Sequence, residues 1–275
     1  MTAPTFIIGD VHGQLDNFLR LLHEAGLIDS EQAWSGGGAR LYLLGDYVDR
    51  GPDGLGVIDL LMRLRVEAAT AGGRVEALLG NHDVMLLAAY RFGDERPPDG
   101  DLSFLDVWWR NGGRLRDLNG LTPERLLWLA QRPAMVLVGD TLLQHADSAF
   151  YADYASTIAE VNAALADILV SDDYHAWAGL IVAFVRRMEF DEANGGSLAD
   201  LREYLRLYGA RRLIHGHTPI GYVARDIRGP ITAPWSYADG LCLNVDGGMF
   251  LGEPGFVYEL PTDAPDPGEV GSYGA

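Results

Sequence analysis

The chain of 275 residues contains no lysine: all 21 of its basic residues are arginine, against 39 aspartates and glutamates. The resulting net charge of −18 excludes the basic footprint that duplex nucleic acid or an anionic membrane surface requires. It would also repel a phosphorylated ligand at long range, so any such ligand needs local positive charge. There is one cysteine, Cys242, so no internal disulfide can form, which fits a reducing compartment. No apolar run approaches the 18 or more residues of a membrane span, and the start of the chain lacks a basic region followed by an apolar stretch. A cytoplasmic protein without a membrane partner is therefore expected.

What the chain does have is apolar content, 48% of residues with 10% aromatic, enough for a sizeable core. Residues 5 to 83 alternate strand-like runs with helical periods. Gln14 to Glu24 places Leu15, Phe18, Leu19 and Leu22 on one face, and Gly54 to Ala69 does the same with Leu55, Ile58, Leu61, Met62 and Leu64. Residues 93 to 103 read as a polar loop. Thr122-Pro123-Glu124 is a helix opening, with a capping residue and proline at the first helical position. A hairpin is expected from Met135–Val138 and Thr141–Leu143 around Gly139-Asp140, and residues 150 to 208 read as mostly helical. Arg212–Ile214, Gly221-Tyr222-Val223, Leu241–Val245 and Gly255–Leu260 read as strands. One domain over residues 1 to 260 is expected. The tail 261 to 275, rich in Pro, Gly and Asp, is expected to be disordered.

Three blocks concentrate the chemistry. Gly9-Asp10-Val11-His12-Gly13-Gln14, Gly45-Asp46-Tyr47-Val48-Asp49-Arg50-Gly51 and Gly80-Asn81-His82-Asp83 each close an apolar strand-like run. Asp10 to Asp46 is 36 residues and Asp46 to Asn81 is 35, about one strand–helix–strand unit each. Each block thus puts oxygen and imidazole donors at a strand end. Asp, His and Asn donors together suit manganese, iron or zinc. Asp10 and His12, two apart, can face one ion. Asp46 can bridge two ions, and Asn81, His145 and His217 can complete a second site. His145 and His217 also follow apolar runs. His23 and His175 lie outside any motif, and Trp108, Trp109 and Trp128 read as core or lid packing.

These blocks, with His145 before Ala146 and with Gly216-His217-Thr218, resemble the calcineurin-like metallophosphoesterases. The Gly-Asp-Tyr-Val-Asp-Arg-Gly form is similar to the phosphoprotein phosphatase branch, which holds bacterial and phage protein phosphatases and symmetric diadenosine tetraphosphatases. The resemblance covers roughly residues 5 to 260. It implies an α/β fold, a calcineurin-like β-sandwich of two mixed sheets flanked by helices on both faces. It implies two divalent metal ions, manganese first, with iron or zinc as alternatives. Asp10 and His12 would bind the first ion, Asp46 would bridge, and Asn81, His145 and His217 would bind the second. His82 would be the general acid, oriented by Asp49, and Arg50 would grip phosphate. A second phosphate arginine is expected between the last two histidines; Arg186 and Arg187 are the candidates, and Arg186 is preferred.

The activity implied is hydrolysis of a phosphomonoester, of the phosphoserine or phosphothreonine protein phosphatase kind, by in-line attack of a metal-bound hydroxide. Symmetric hydrolysis of a dinucleoside polyphosphate is the alternative. A third reading, from a different class, is a weakly active phosphatase fold used as a binding module. The partner is then a phosphorylated substrate, protein or nucleotide; the sequence leaves the oligomeric state open. Two departures stand out: Asp83 occupies a position where the branch usually has Glu, and His145 is followed by Ala146-Asp147 where Gly is usual.

Overall fold

The computed structural model describes residues 3–96, 102–224 and 227–261. The expected disordered tail lies, but for residue 261, outside the described residues, as does part of the polar loop at 93 to 103. Strands β1 (Thr5–Ile8), β2 (Arg40–Leu43) and β3 (Arg74–Ala77) pair in parallel. They are separated by helices α1 (Leu15–Glu24) and α2 (Gly54–Thr70). After β3 come α3 (Asn81–Phe92), α4 (Phe104–Arg110), α5 (Leu115–Asn119) and α6 (Pro123–Ala130). Strands β4 (Met135–Val138) and β5 (Thr141–Gln144) form the expected hairpin. Helices α7 (Ile158–Val170), α8 (Tyr174–Phe184) and α9 (Leu198–Leu207) lead to β6 (Arg212–His215), the short α10 (Ile220–Val223), β7 (Trp235–Tyr237), β8 (Cys242–Asn244) and β9 (Tyr258–Leu260).

The strands form two mixed sheets, ordered β3-β2-β1-β9 and β4-β5-β6-β8-β7. In the first, β9 is antiparallel to β1. In the second, β5-β6 and β6-β8 are parallel while the flanking pairs are antiparallel. Strand alternation sorts the core into two populations. Ile7, Tyr42, Leu44, Leu143, Ile214 and Val245 meet between the sheets. Ile8, Leu41, Leu43, Leu142 and Leu213 point the other way, into a core shared with Phe18, Leu61, Leu165 and Leu205 of the helices. Both faces of each sheet are thus covered, the sandwich with outer helices that the sequence led one to expect.

Local chemistry sets the ends of these elements. Asp53 accepts the Gly56 N–H at 3.0 Å to start α2, and Thr122 accepts the Arg125 N–H at 3.4 Å to start α6 behind Pro123. One expectation fails: Gly221-Tyr222-Val223 is part of a helical turn, not a strand. Pro219 precedes it, and the Ile220 amide donates to the Asp246 carbonyl at 3.0 Å, which folds the chain over the end of β8. The edge strand β7 was not foreseen. Among the described residues no helix is long and apolar enough to cross a membrane.

Candidate metal and phosphate site

Parallel pairing brings the C-terminal ends of β1, β2 and β3 side by side, and those of β5, β6 and β8 side by side in the facing sheet. Asp10, Asp46 and Asn81 follow the first three ends; His145, His217 and Asp246 follow the second three. All six are buried. The third block is the first turn of α3, so Asn81 and His82 sit on a helix N-terminus and not in a loop.

Asp46 is central. Its Oδ2 lies 3.5 Å from His12 Nε2, and its Oδ1 lies 3.5 Å from His145 Nε2. Its Oδ1 also accepts the His82 backbone N–H at 2.8 Å. Asp83 holds Asp46 in place: its Oδ2 accepts the Asp46 and Gly80 amides at 2.9 Å each, and its Oδ1 accepts the Tyr47 amide at 3.1 Å. The shorter Asp in place of Glu therefore holds the backbone at Asp46 and Tyr47. Gly80 is required beside it, since a Cβ there would sit 2.3 Å from the Asp46 nitrogen and Oδ1.

Hydrogen bonds fix the histidine tautomers. His12 Nδ1 lies 3.0 Å from the Val48 carbonyl and His145 Nδ1 lies 2.8 Å from the Leu44 carbonyl. A carbonyl only accepts, so Nδ1 carries the proton and Nε2 presents a lone pair. His145 Nε2, Asn81 Oδ1 and His217 Nδ1 lie 2.8–3.0 Å from one another. Asp10 Oδ1 accepts the His217 amide at 2.9 Å, while its Oδ2 is buried without a hydrogen-bond partner, 3.8 Å from His12 Nε2. Converging lone pairs and an orphaned carboxylate oxygen are what a cation satisfies, so this donor set fits the divalent ions that the sequence suggests.

The electrostatics agree. Burial holds His12, His145 and His217 below the ordinary imidazole range, keeping them neutral. Burial, then the charges of Asp246 and Asp46, push the Asp10 carboxyl well up. Burial raises Asp246 to about 7. Cations among these groups would remove the cost of ionising the carboxylates.

Arg50 and His82 form the other half of the site. Arg50 donates to His12 Nε2 and to His82 Nε2, both at 2.8 Å, with its guanidinium 4.2 Å from the Phe250 ring centre. His82 Nδ1 lies 2.7 Å from Asp49 Oδ2, and both side chains are buried. His82 also lies close enough to His12 and Asp46 to share an ion with them. Its Nδ1 is already committed to Asp49, however, and its Nε2 faces Arg50, which leaves it better placed to move a proton.

The remaining arginine falls differently from expectation. Arg186 pairs with Glu189 at 2.5 Å and Asp153 at 3.3 Å on the surface. Arg187 instead lines a cavity of about 740 Å³ with Met188, Thr218, Tyr222 and Trp235, and its charge reaches His217. The neighbour of the preferred residue is the one beside the cluster. His215 hydrogen-bonds the Tyr237 hydroxyl at 3.0 Å, away from the donors. Asp246 was not singled out, although it repeats the strand-then-aspartate pattern of the first two blocks.

Two mixed sheets with Asp, His and Asn donors gathered at their strand ends define the metal-dependent α/β phosphoesterases as a class. The family model for calcineurin-like phosphoesterases matches residues 3–221, and the chain belongs to that family. It is similar to Shewanella-like protein phosphatase 2 of Arabidopsis thaliana, 41% identical over 78 residues, which is 28% of this chain and 20% of that protein. It is similar also to a symmetrical bis(5'-nucleosyl)-tetraphosphatase of an Acidovorax species, 36% identical over 150 residues, 51% of this chain and 43% of the other. The matches thus span less than half the length of these relatives. The fold resembles the crystal structure of a cold-active protein-tyrosine phosphatase of a psychrophilic Shewanella, with a TM-score of 0.71 at 22% identity, covering 96% of this chain and 76% of that one.

Proposed function

We propose that the protein is a two-metal phosphomonoesterase acting on phosphorylated protein side chains. The observation that carries this reading is the meeting of Asp10, His12, Asp46, Asn81, His145 and His217 with Arg50 and the His82–Asp49 pair in one buried place. Asp10, His12 and Asp46 would hold one divalent ion, and Asp46, Asn81, His145 and His217 the other. Manganese is the first choice, with iron or zinc able to use the same donors. When bound, such ions supply Lewis-acid activation of the phosphoryl group and of the attacking water.

The chain's own residues do the rest. Arg50, and Arg187 near His217, would orient the phosphoryl oxygens, since a guanidinium fork matches two of them. His82, with Asp49 fixing its Nδ1, would deliver a proton from Nε2 to the leaving oxygen. Arg186, paired at the surface, is set aside in favour of Arg187. The donors and His82 are all retained, which argues against a binding module that has lost its chemistry. The relatives named as tetraphosphatases support a second reading, cleavage of a dinucleoside polyphosphate, with the same groups at work.

Manganese-loaded protein assayed on a phosphoserine peptide and on diadenosine tetraphosphate, with a chelated control, separates these. Chelator-sensitive phosphate release from the peptide alone supports the proposal. Release of two ADP with an inert peptide replaces it by the second reading. Metal bound without turnover of either substrate would overturn both.

A further inference from the structure

Asp49 and Arg50 both adopt positive φ, 67° and 61°, a conformation that residues other than glycine adopt at a cost. One segment, α4 to α5, braces both. The Trp108 indole N–H donates to Asp49 Oδ1 at 2.8 Å, leaving Oδ2 for His82 Nδ1 at 2.7 Å. The Arg50 amide donates to the Gly112 carbonyl at 2.9 Å, and the Arg114 guanidinium donates to the Arg50 carbonyl. The buried Asp117 carboxylate faces the Asp49 amide without closing a well-formed hydrogen bond to it.

Trp108 itself has no slack. It is fully buried, and Gly113 lies so close that a Cβ there would sit 2.4 Å from the indole ring. A carboxylate held by a single imidazole can rotate and present either oxygen. Held also by a rigid indole donor, it has one orientation, and in a sealed site both hydrogen bonds gain strength. The apolar surroundings of Trp108 suggest packing alone, but its N–H ends on the carboxylate that orients the histidine.

We propose that Trp108 is a positioning residue for leaving-group protonation: its N–H holds Asp49 so that the second carboxylate oxygen fixes the His82 ring. The proposal rests on the reading of His82 as general acid. Trp108→Phe keeps most of the ring volume but leaves Asp49 Oδ1 buried and unpaired.

The test uses the manganese-loaded full chain with phenyl phosphate, whose leaving oxygen needs a proton, and p-nitrophenyl phosphate, whose leaving group departs without one. Trp108→Phe should lower kcat on phenyl phosphate about 10-fold while changing p-nitrophenyl phosphate turnover less than about 2-fold, as expected for loss of one charge-linked hydrogen bond within an acid worth roughly 10²–10⁴. Combined with Asp49→Asn, it should add no further loss, because both changes act on one path. An equal loss on both substrates, no loss, or additive losses would each overturn the proposal. His82→Asn measured alongside identifies which idea failed. If it discriminates between the two substrates and Trp108→Phe does not, the role of Trp108 is wrong. If His82→Asn does not discriminate either, the general-acid reading falls and takes this proposal with it. Should Trp108→Phe fail to fold, β-(3-benzothienyl)alanine at position 108 replaces the N–H by sulfur at nearly constant volume, and the same outcomes apply.

Discussion

Replacing Asp117 by Asn removes an ionisable group from a position with no exposed surface. Burial is the main influence on this carboxyl and lifts it from 3.8 to about 6; the Asp49 amide opposes the rise and the Asp49 charge adds to it. At about 1.4 kcal/mol per pKa unit, the difference corresponds to about 3 kcal/mol. That is an upper bound, because the adjoining Arg114, Leu115 and Arg116 are exposed and water screens the charge; about 1–2 kcal/mol is expected. The sign follows from linkage. The folded state binds this proton more tightly than the unfolded chain, so ionisation removes stability as pH rises from about 4 to about 6, and no more is lost above. Asn cannot ionise. Wild type and Asp117→Asn should therefore have similar stability near pH 4, separate in favour of the variant up to about pH 6, and keep a constant gap above it. Urea unfolding followed by tryptophan fluorescence, in chelator so that metal binding adds no pH dependence of its own, measures the gap. A gap independent of pH would show that Asp117 titrates normally, and one that opens only below pH 4 that its carboxyl is held down; either result would mean that burial does not control it.

His82→Asn should cut turnover of a phosphoserine peptide by roughly 10²–10⁴-fold with metal content unchanged, and near-wild-type turnover would remove His82 from the mechanism. Asp46→Asn should bind less metal than wild type in elemental analysis after dialysis, since one oxygen faces each of His12 and His145; full occupancy in the variant would mean that Asp46 does not bridge. Arg187→Ala should raise KM for the peptide about 10-fold or more, the scale of a lost charged hydrogen bond, while Arg186→Ala stays within about 2-fold. The reverse ranking would restore Arg186 to the site.

Features written in short stretches of chain were legible in the sequence. Each of the first three blocks follows its own strand, so the donors announce their place once the apolar run is recognised, and Thr122-Pro123 announces a helix in two residues. Features that depend on remote partners were not. Trp108 sits in an apolar pattern, and its hydrogen-bond partner lies 59 residues away. Arg186 and Arg187 are neighbours just past the end of α8, followed by Met188 at φ 61°. Beyond the last helical turn no periodicity says which of two adjacent side chains faces the cavity, and the surface carboxylates of Asp153 and Glu189 claim Arg186. Gly221-Tyr222-Val223 read as a strand, but Pro219 and the hydrogen bond from the Ile220 amide to Asp246 decide for a helical turn.

The backbone of the site carries a further lesson about legibility. His12, Asp46, Asp49, Arg50 and His217 all have φ between 47° and 70°. A sequence-based expectation would put glycine at such positions, because each costs another residue about 1–3 kcal/mol. None of the five can be glycine if its side chain works. The fold places glycine instead at the points that face them and their partners. A Cβ at Gly80 would lie 2.3 Å from the Asp46 nitrogen, and one at Gly216 would lie 2.3 Å from Asp10 Oδ1. Buried acceptors then hold the strained peptides, Asp83 for Asp46 and Asp10 for His217. The glycines that open the third block and Gly216-His217-Thr218 therefore carry information about their neighbours across space as much as about their own conformation. Substituting Gly80 should disturb the site through Asp46 even though Gly80 offers no ligand of its own.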